Sequence, residues 1–305
     1  MTGAGSLTAS FVPEQSYLGG ISDTPEYRLP GTDIEFSDAS LDNQLERLAD
    51  PGDVTAQTHL AQNIEGAFSA SWVLSGTSQF HLLTFNNDSD GDGTVDSLVS
   101  GTFPSSEWYL GLDYLSGVAE RVLKGVVFTE VSWEYEQGSP VRVSATGVYG
   151  DEALNTSVST GSLTKPSNEM PGHAAELTID GMVQLKLSSA TLTLSNLARL
   201  QRGASRQPLE AVVGPADIKL TVDSIYTETD QTQLAYGSGG ATAPQDLVGG
   251  VPGSFTFTDD AGNTVADYSL SGLTPANYAW NNIPPLDDNA EESITFQATD
   301  ITASS

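Results

Sequence analysis

Apolar and polar residues alternate along much of the chain with a period of two. In residues 64–74, Phe68, Ala70 and Trp72 share one phase, and Glu65 and two serines fall in the other. This period is typical of antiparallel strands that have one face packed and one face wetted. The other segments with this pattern are 125–135, 141–146, 218–223 and 294–299, and residues 182–194 predict either one long strand or a bent pair.

Turn-forming residues separate the predicted strands. Asp180-Gly181 lies between two alternating segments and predicts a tight hairpin. Residues 260–263 predict a second turn, and the glycines of 237–240 predict a flexible loop. Short helices are expected only at 41–50 and 116–123. The predicted fold class is therefore all-β, with antiparallel β-sandwich or barrel modules, long loops and few short helices.

A weak internal repeat spans about half of the chain. At an offset of 153, residues 141–149 fall on 294–302, and residues 40–43 fall on 193–196. Similar alternating strands also begin at Ile64 and Ile218. Because self-similarity at a fixed period is typical of repeated architectures, we predict two tandem β-modules. Their bounds are 1–155, with a loop insertion at 86–97, and 156–305, with a linker at 165–168.

Charge excludes a conventional nucleic-acid footprint. The 305 residues include 40 acidic and 11 basic side chains, for a net charge of −29. Such a chain repels phosphate. Aromatic residues make up 8% of the chain, which argues against an acidic disordered tail. The scarcity of lysine alongside excess carboxylate favours a protein that works in high salt, where the Debye length is ~3 Å. An ordinary acidic surface is the alternative.

The residues or motifs that several classes of function require do not occur in this sequence. No cysteine occurs, which excludes disulfides and thiolate chemistry, and neither a nucleophile elbow nor a phosphate-binding loop occurs. No apolar run approaches ~18 residues, and the first residues do not resemble a signal peptide. Histidines are expected at the surface or at caps, and tryptophans in the core. These are His59, His81 and His173, and Trp72, Trp108, Trp133 and Trp280.

The acidic segment 88–96 has the spacing of a calcium-binding loop. Carboxylates fall at its positions 1, 3, 5 and 9, and glycine falls at position 6. Val99 at position 12 lacks the bidentate carboxylate, which excludes a full EF-hand. A solvated acidic hairpin tip is the alternative. The candidate ligands for Ca²⁺ are Asp88, Asp90, Asp92, Thr94 and Asp96.

Taken together, the segments resemble the tail tube proteins of viruses with long flexible tails. The likeness runs from about Leu29 onward and lies in the order and spacing of strands. The acidic segment departs from this pattern and has the character of an insertion. The segments that carry the resemblance are 126–136, 140–148, 177–185, 189–196, 268–273, 284–286 and 292–300.

The resemblance implies a structural virion protein, not an enzyme, that forms stacked rings around a conduit for genome delivery. Its partners would be itself and other tail proteins such as the tape measure, terminator and baseplate components. Three two-module chains per ring are expected, with six chains as the alternative. DNA would pass without specific binding, and no membrane or required cofactor is implied. The protein would be made in the host cytoplasm and would reside in the virion tail. Together with the acidic, lysine-poor composition, the resemblance implies a virus that infects a halophilic archaeal host.

A tube wall needs strands whose inner face is wetted and carries small polar residues. The residues expected to line the lumen are Ser69, Ser71, Ser144, Thr146, Thr221, Thr295, Gln297 and Thr299.

The alternative function is that of an extracellular calcium-stabilised β-sandwich adhesin or surface-layer-type protein. Such a protein would be distinguished by a secretion signal and by repeated calcium loops.

If segment 88–96 binds Ca²⁺, a chelator will lower the melting temperature in matched high salt. Binding to the folded state alone stabilises it by mass action, and each kcal/mol lost shifts the midpoint by about 2–4 °C in a chain of this size. Calorimetry with and without chelator measures the shift. The Asp90→Asn/Asp92→Asn variant should show no response, and an unresponsive wild type would contradict the site.

Overall fold

The computed structural model is almost entirely β, with two short helices. It describes residues 7–51, 55, 58–75, 78–87, 97–98, 100–114, 117–159, 163–165, 174–259, 261–281, 283 and 289–304. The helices are α1 (Ser78–His81) and α2 (Asp230–Ala235). The strands are β1 (Leu7–Pro13), β2 (Tyr27–Arg28), β3 (Thr32–Asp42), β4 (Leu45–Leu48), β5 (Thr58–Ala61), β6 (Glu65–Val73), β7 (Phe85–Asn87), β8 (Ser97–Leu98), β9 (Ser106–Tyr114), β10 (Gly117–Glu136), β11 (Arg142–Tyr149), β12 (Asp151–Asn155), β13 (Leu163–Thr164), β14 (Ala175–Ile179), β15 (Met182–Val183), β16 (Leu187–Ser195), β17 (Ala198–Arg202), β18 (Pro208–Val213), β19 (Asp217–Ile225), β20 (Val251–Thr258), β21 (Thr264–Asn281), β22 (Glu291–Ala298) and β23 (Asp300–Ser304).

One antiparallel sheet of eight strands, the central sheet, joins the two halves of the chain. Its order is β3–β6–β11–β10–β16–β19–β22–β21. The first four strands come from the first half of the sequence and the last four from the second. The junction is the pairing of β10 with β16, which runs from Glu130 opposite Ser195 to Glu136 opposite Ser189.

Two flanking sheets pack over one face of the central sheet. The first has the order β12–β10–β9–β1–β2–β13. The second has the order β15–β14–β20–β21–β23–β8–β7. The long strands β10 and β21 each belong to the central sheet and to one flanking sheet, so they tie the layers together.

A glycine bends each of these long strands where it changes sheets. Gly125 in β10 has φ 66° and Gly272 in β21 has φ 63°, in the left-handed region that favours glycine. A Cβ at Gly125 would lie 2.8 Å from a side-chain atom of Leu18, and one at Gly272 would lie 2.5 Å from Oγ1 of Thr299. Conformation and space therefore both require glycine at the two bends.

Each of the two long strands also has a bulge in the central sheet. The pairing of β10 with β11 slips between Phe128 and Glu130, and that of β21 with β22 slips between Pro275 and Asn277. A bulge kinks the strand locally and increases its twist. Each bulge follows its bend glycine at the same distance along the strand.

The pairing registers define which residues of the two halves are equivalent. Glu130 faces Thr146, and Asn277 faces Thr295. Equivalent residues in β10 and β21 are thus 147 positions apart, and those in β11 and β22 are 149 apart. The sequence offset of 153 places β11 four residues out of this register.

The core lies between the central sheet and the flanking sheets and is rich in aromatic side chains. The ring of Trp108 lies 5.3 Å from that of Phe11 and 4.7 Å from that of Phe68. At the junction of the two halves, Trp133 lies 4.8 Å from Tyr268 and donates its Nε1–H to the Tyr268 hydroxyl at 2.8 Å. Aromatic pairs of this kind add stability beyond the area they bury.

The histidine prediction was wrong for His81 and the tryptophan prediction was wrong for Trp280. His81 is 1% exposed, its Nε2 lies 2.8 Å from the Tyr268 hydroxyl, and burial lowers its pKa to about 4. Its imidazole is therefore neutral at pH 7. Trp280 is 55% exposed, whereas Trp72, Trp108 and Trp133 are fully buried as expected.

The two predicted helices were wrong, whereas the Asp180-Gly181 hairpin is confirmed. Residues 41–50 contain the end of β3 and strand β4, and 117–123 lie within β10. The Asp42 carboxylate accepts the N–H of Gln44 and turns the chain into the β4–β5 hairpin. Pairing on both sides of β10 outweighs its local helix propensity. At the hairpin, Ile179 pairs with Met182.

Val143→Pro should unfold the chain or destabilise it by about 3 kcal/mol or more. Val143 is fully buried, and it pairs with Trp72 on one side and Trp133 on the other. Proline removes a ladder N–H and belongs only at sheet edges. Denaturant unfolding measures the loss, with Ser144→Ala on the wetted face as the control. A Val143→Pro variant of wild-type stability would contradict the interior position of β11.

Candidate functional site: the wetted face and its two edge strands

The face of the central sheet away from the core carries seven of the eight residues expected to line a lumen. Cross-strand pairing places them in rows, because directly paired residues share a face. Thr299 lies elsewhere, after β22, where its Oγ1 donates to the Ser271 carbonyl at 3.0 Å beside the bend at Gly272. The pairs in these rows are Ser69–Thr146, Ser71–Ser144, Thr221–Thr295 and Lys219–Gln297.

This wetted face is strongly acidic. Among the described strands, the cations on the face are Arg142 and Lys219, and Arg142 forms an ion pair with Asp33. Hydroxyl side chains fill much of the remaining surface. The face therefore offers phosphate groups little attraction. Its carboxylates include Glu35, Asp38, Glu130, Glu134, Glu136, Asp217, Asp223 and Glu291.

The edge at β21 carries a hydrogen-bonded aromatic network. Trp280 donates its Nε1–H to the hydroxyl of Tyr278 at 2.6 Å, and that hydroxyl donates to Oε2 of Glu292 at 2.9 Å. Tyr226 lies against the Trp280 ring at 5.3 Å. Burial raises the pKa of Tyr278 to about 12 and also raises the pKa of Glu292. The network holds the exposed indole in a fixed orientation.

The opposite edge, at β3, is held by an ion pair beneath the strand. Arg121 binds both carboxylate oxygens of Glu152, at 2.6 and 2.8 Å, and donates to the carbonyl of Ala39 at 2.5 Å. The hydroxyl of Tyr149 lies 2.8 Å from the carbonyl of Ser40. The hydrogen bonds from Arg121 lower the pKa of the Glu152 carboxyl. Side chains of β10–β12 thus position β3.

The candidate calcium ligands Asp88, Asp90, Asp92, Thr94 and Asp96 lie outside the described residues, so that site stays a prediction. Within the described ranges, no three histidine or acidic side chains converge as a metal site would require. The described helices are also too short to cross a bilayer.

Comparison of the chain with known protein families gives one match. The family described as phage tail tube protein matches residues 6–299, nearly the whole chain. The chain belongs to the phage tail tube protein family. It is thus a structural component of the virion tail and not an enzyme. No curated protein shows significant similarity to this tail tube protein.

Sequence reasoning missed the edge residues Trp280 and Arg121 as parts of a site. Its position in or beside a strand-like segment predicts a core location for Trp280, as for the other tryptophans. One signal in the sequence could have distinguished it. Trp133 and Trp280 each follow their bend glycine, Gly125 or Gly272, by eight residues. The two tryptophans are therefore equivalent, and one of them lies at the end of the sheet.

Glu292→Gln should remove a pH dependence of stability in this tail tube protein. The pKa of Glu292 is raised above 4.5 in the folded state, chiefly by burial, with a smaller contribution from Asp230. The folded state then binds more protons than the unfolded state, so this residue's contribution to stability decreases as pH rises through the window between the two pKa values. Glu292 accepts from the Ser224 and Tyr278 hydroxyls through its two oxygens. Glutamine keeps the shape without the charge: its Oε1 can accept from one hydroxyl, and its amide N–H can donate to the other.

Thermal unfolding of both proteins from pH 4 to 8 measures the effect. Wild type should lose stability relative to Glu292→Gln as pH rises from 4.5, whereas Glu291→Gln, on an exposed carboxylate of the same strand, should leave the profile unchanged. A constant difference between wild type and Glu292→Gln would contradict the raised pKa.

Proposed function

We propose that three copies of this chain close into a ring, and that stacked rings form a tube through which the viral genome passes. The observation that carries the proposal is the central sheet of eight strands. Its two outer edges, along β3 and along the part of β21 that pairs with β22, have no further strand partner among the described residues. Eight is an even number, so β3 and β21 run in opposite directions. Head-to-tail addition of further copies would therefore continue the antiparallel pattern.

The proposal includes two tandem tail-tube modules, at 1–155 and 156–305. The recurrent strand order, the two bend glycines and the two bulges support it. Six modules from three chains would supply 24 central strands with pseudo-sixfold symmetry. Heterologous contacts of this kind close into a ring when the rotation per module is about 60°. Six chains per ring, each with one module on the inner wall, is the alternative that the symmetry measurement must exclude.

We also propose that the acidic wetted face lines the lumen. Two cations against many carboxylates would keep phosphate contacts few, and it is such contacts that bind DNA in a salt-dependent manner. DNA would then pass without specific binding. The other tail components would meet the tube at its ends, as the tape measure, terminator and baseplate proteins do in the resemblance described above.

A virus with a long tail and a halophilic archaeal host is the third part of the proposal. Excess carboxylate and scarce lysine support it, because molar salt screens the self-repulsion of a chain with a net charge of −29. Synthesis in the host cytoplasm follows from that assignment.

Electron microscopy of the purified protein in molar salt tests the proposal. The expected result is rings or tubes of uniform diameter whose cross-section has C3 symmetry and two unequal modules per chain. Density with one whole chain in each sixth of the ring would reject the trimer. A protein that stays monomeric at all concentrations in molar salt would reject the ring altogether.

A further inference from the structure

The pairing inside one chain provides a template for the contact between chains. At the junction of the two halves, β10 pairs with β16: Ser132 faces Thr193, and Trp133 faces Leu192. By the pairing registers, β21 occupies the place of β10 in the second half, and β3 occupies the place of β16 in the first half. The outer edge of β21 therefore corresponds to the β10 side of the junction, and the outer edge of β3 corresponds to the β16 side. These two edges lie at opposite ends of the central sheet.

The residues of the two edges can be matched to the junction one by one. Glu130 and Asn277 face equivalent threonines, Thr146 and Thr295, across their hairpin partners. The equivalent of Ser132 is therefore Ala279, and the equivalent of Trp133 is Trp280.

The same reasoning applies to β3, through its partner β6. Ser69 and Thr221 are equivalent because they face Thr146 and Thr295, and they in turn face Asp38 and Thr191. Thr191 thus has Asp38 as its equivalent. Two positions further along the strands, the equivalent of Thr193 is Ser40. One position beyond these, the equivalent of Leu194 is Leu41.

The matched residues are buried at the junction and exposed at the two edges. This difference is expected if the edges form the same kind of contact with a neighbouring copy. Trp133 is fully buried and Trp280 is 55% exposed. Leu194 is fully buried and Leu41 is 43% exposed. Large apolar side chains on both free edges therefore occupy positions that the strand neighbour covers at the junction. Such clustered aromatic and aliphatic anchors are the residues that dominate protein interfaces.

The geometry points to β21 of one copy pairing antiparallel with β3 of the next, with Ala279 opposite Ser40 and Trp280 opposite Ala39. This inference rests on the proposed ring and adds its register. A strand edge satisfies its backbone groups when a second copy continues the sheet. The exposed Trp280 indole would then be buried as the anchor of each contact between copies.

Trp133 at the junction and Trp280 at the proposed contact would have different residues beneath them. At the junction, Trp133 packs on Tyr268, which pairs with Ala303 in the flanking sheet. The residue at the same place under β3 is Arg121, which pairs with Leu154. Its guanidinium already contacts the Ala39 carbonyl at 2.5 Å. The incoming Trp280 would therefore meet a cation where Trp133 meets a tyrosine, a favourable contact for an indole face.

Disulfide crosslinking tests the register, since the chain has no cysteine of its own. The test variant is Ala279→Cys/Ser40→Cys. The register control is Ala279→Cys/Glu35→Cys, which moves the second cysteine by more than ~10 Å along the strand. The calibration variant is Ser132→Cys/Thr193→Cys, which places the equivalent pair within one chain. Each protein is assembled in molar salt, oxidised, and run on a non-reducing gel.

The expected result is covalent dimers and trimers for the test variant, none for the register control, and an intrachain disulfide in the calibration variant. Assembled rings in which the test pair stays reduced while the calibration pair oxidises would overturn the register and leave the ring intact. Absence of rings in wild type would overturn the proposed function itself, and this inference with it.

Single substitutions give a second measurement in case the cysteine variant does not assemble. Trp280→Ala should raise the protein concentration needed for assembly at least about tenfold, while the monomer stays folded. Leu247→Ala, at an 84% exposed apolar residue outside the strands of the central sheet, should not alter it. The emission difference between wild type and Trp280→Phe should shift to the blue on assembly. Unchanged assembly and an unshifted difference spectrum would overturn the interface.

Discussion

The pairing of β10 with β16 is the contact on which the rest of the structure depends. It spans seven residue pairs and turns two four-stranded halves into one sheet. The buried face of that sheet is then continuous, so a single core runs from Trp108 in the first half to Phe255 in the second. Without this pairing, each half would expose an apolar edge in the middle of the molecule, with Trp133 facing water.

The sheet separates two chemistries by strand alternation alone. Side chains of one phase pack against the flanking sheets, and those of the other phase carry hydroxyls and carboxylates into solvent. The same alternation allowed both the all-β fold and the residues of the wetted face to be predicted from sequence. Ser69, Thr146, Thr221 and Thr295 lie on one face because period two leaves them no other choice once their neighbours are buried.

What the sequence did not predict depends on contacts between distant segments. Gly125 reads as a strand end, yet the chain bends there and continues for eleven residues in another sheet. Nothing in the sequence around His81 indicates that its polar ring is buried. The ring is buried because Tyr268, 187 residues away, supplies its hydrogen-bond partner. Trp280 matches the core pattern and is exposed because the sheet ends beside it. The acidic segment 88–96 has a clear spacing, although the described part of the chain does not include it.

The bends at Gly125 and Gly272 have a mechanical consequence for any assembly of this chain. Each bent strand is one covalent segment that belongs to the central layer and to a flanking layer. The two layers therefore cannot slide past one another without breaking backbone ladders in both. In a stack of rings, such a subunit would transmit strain as a rigid block, and the curvature of a long tail would be taken up by small tilts between successive rings.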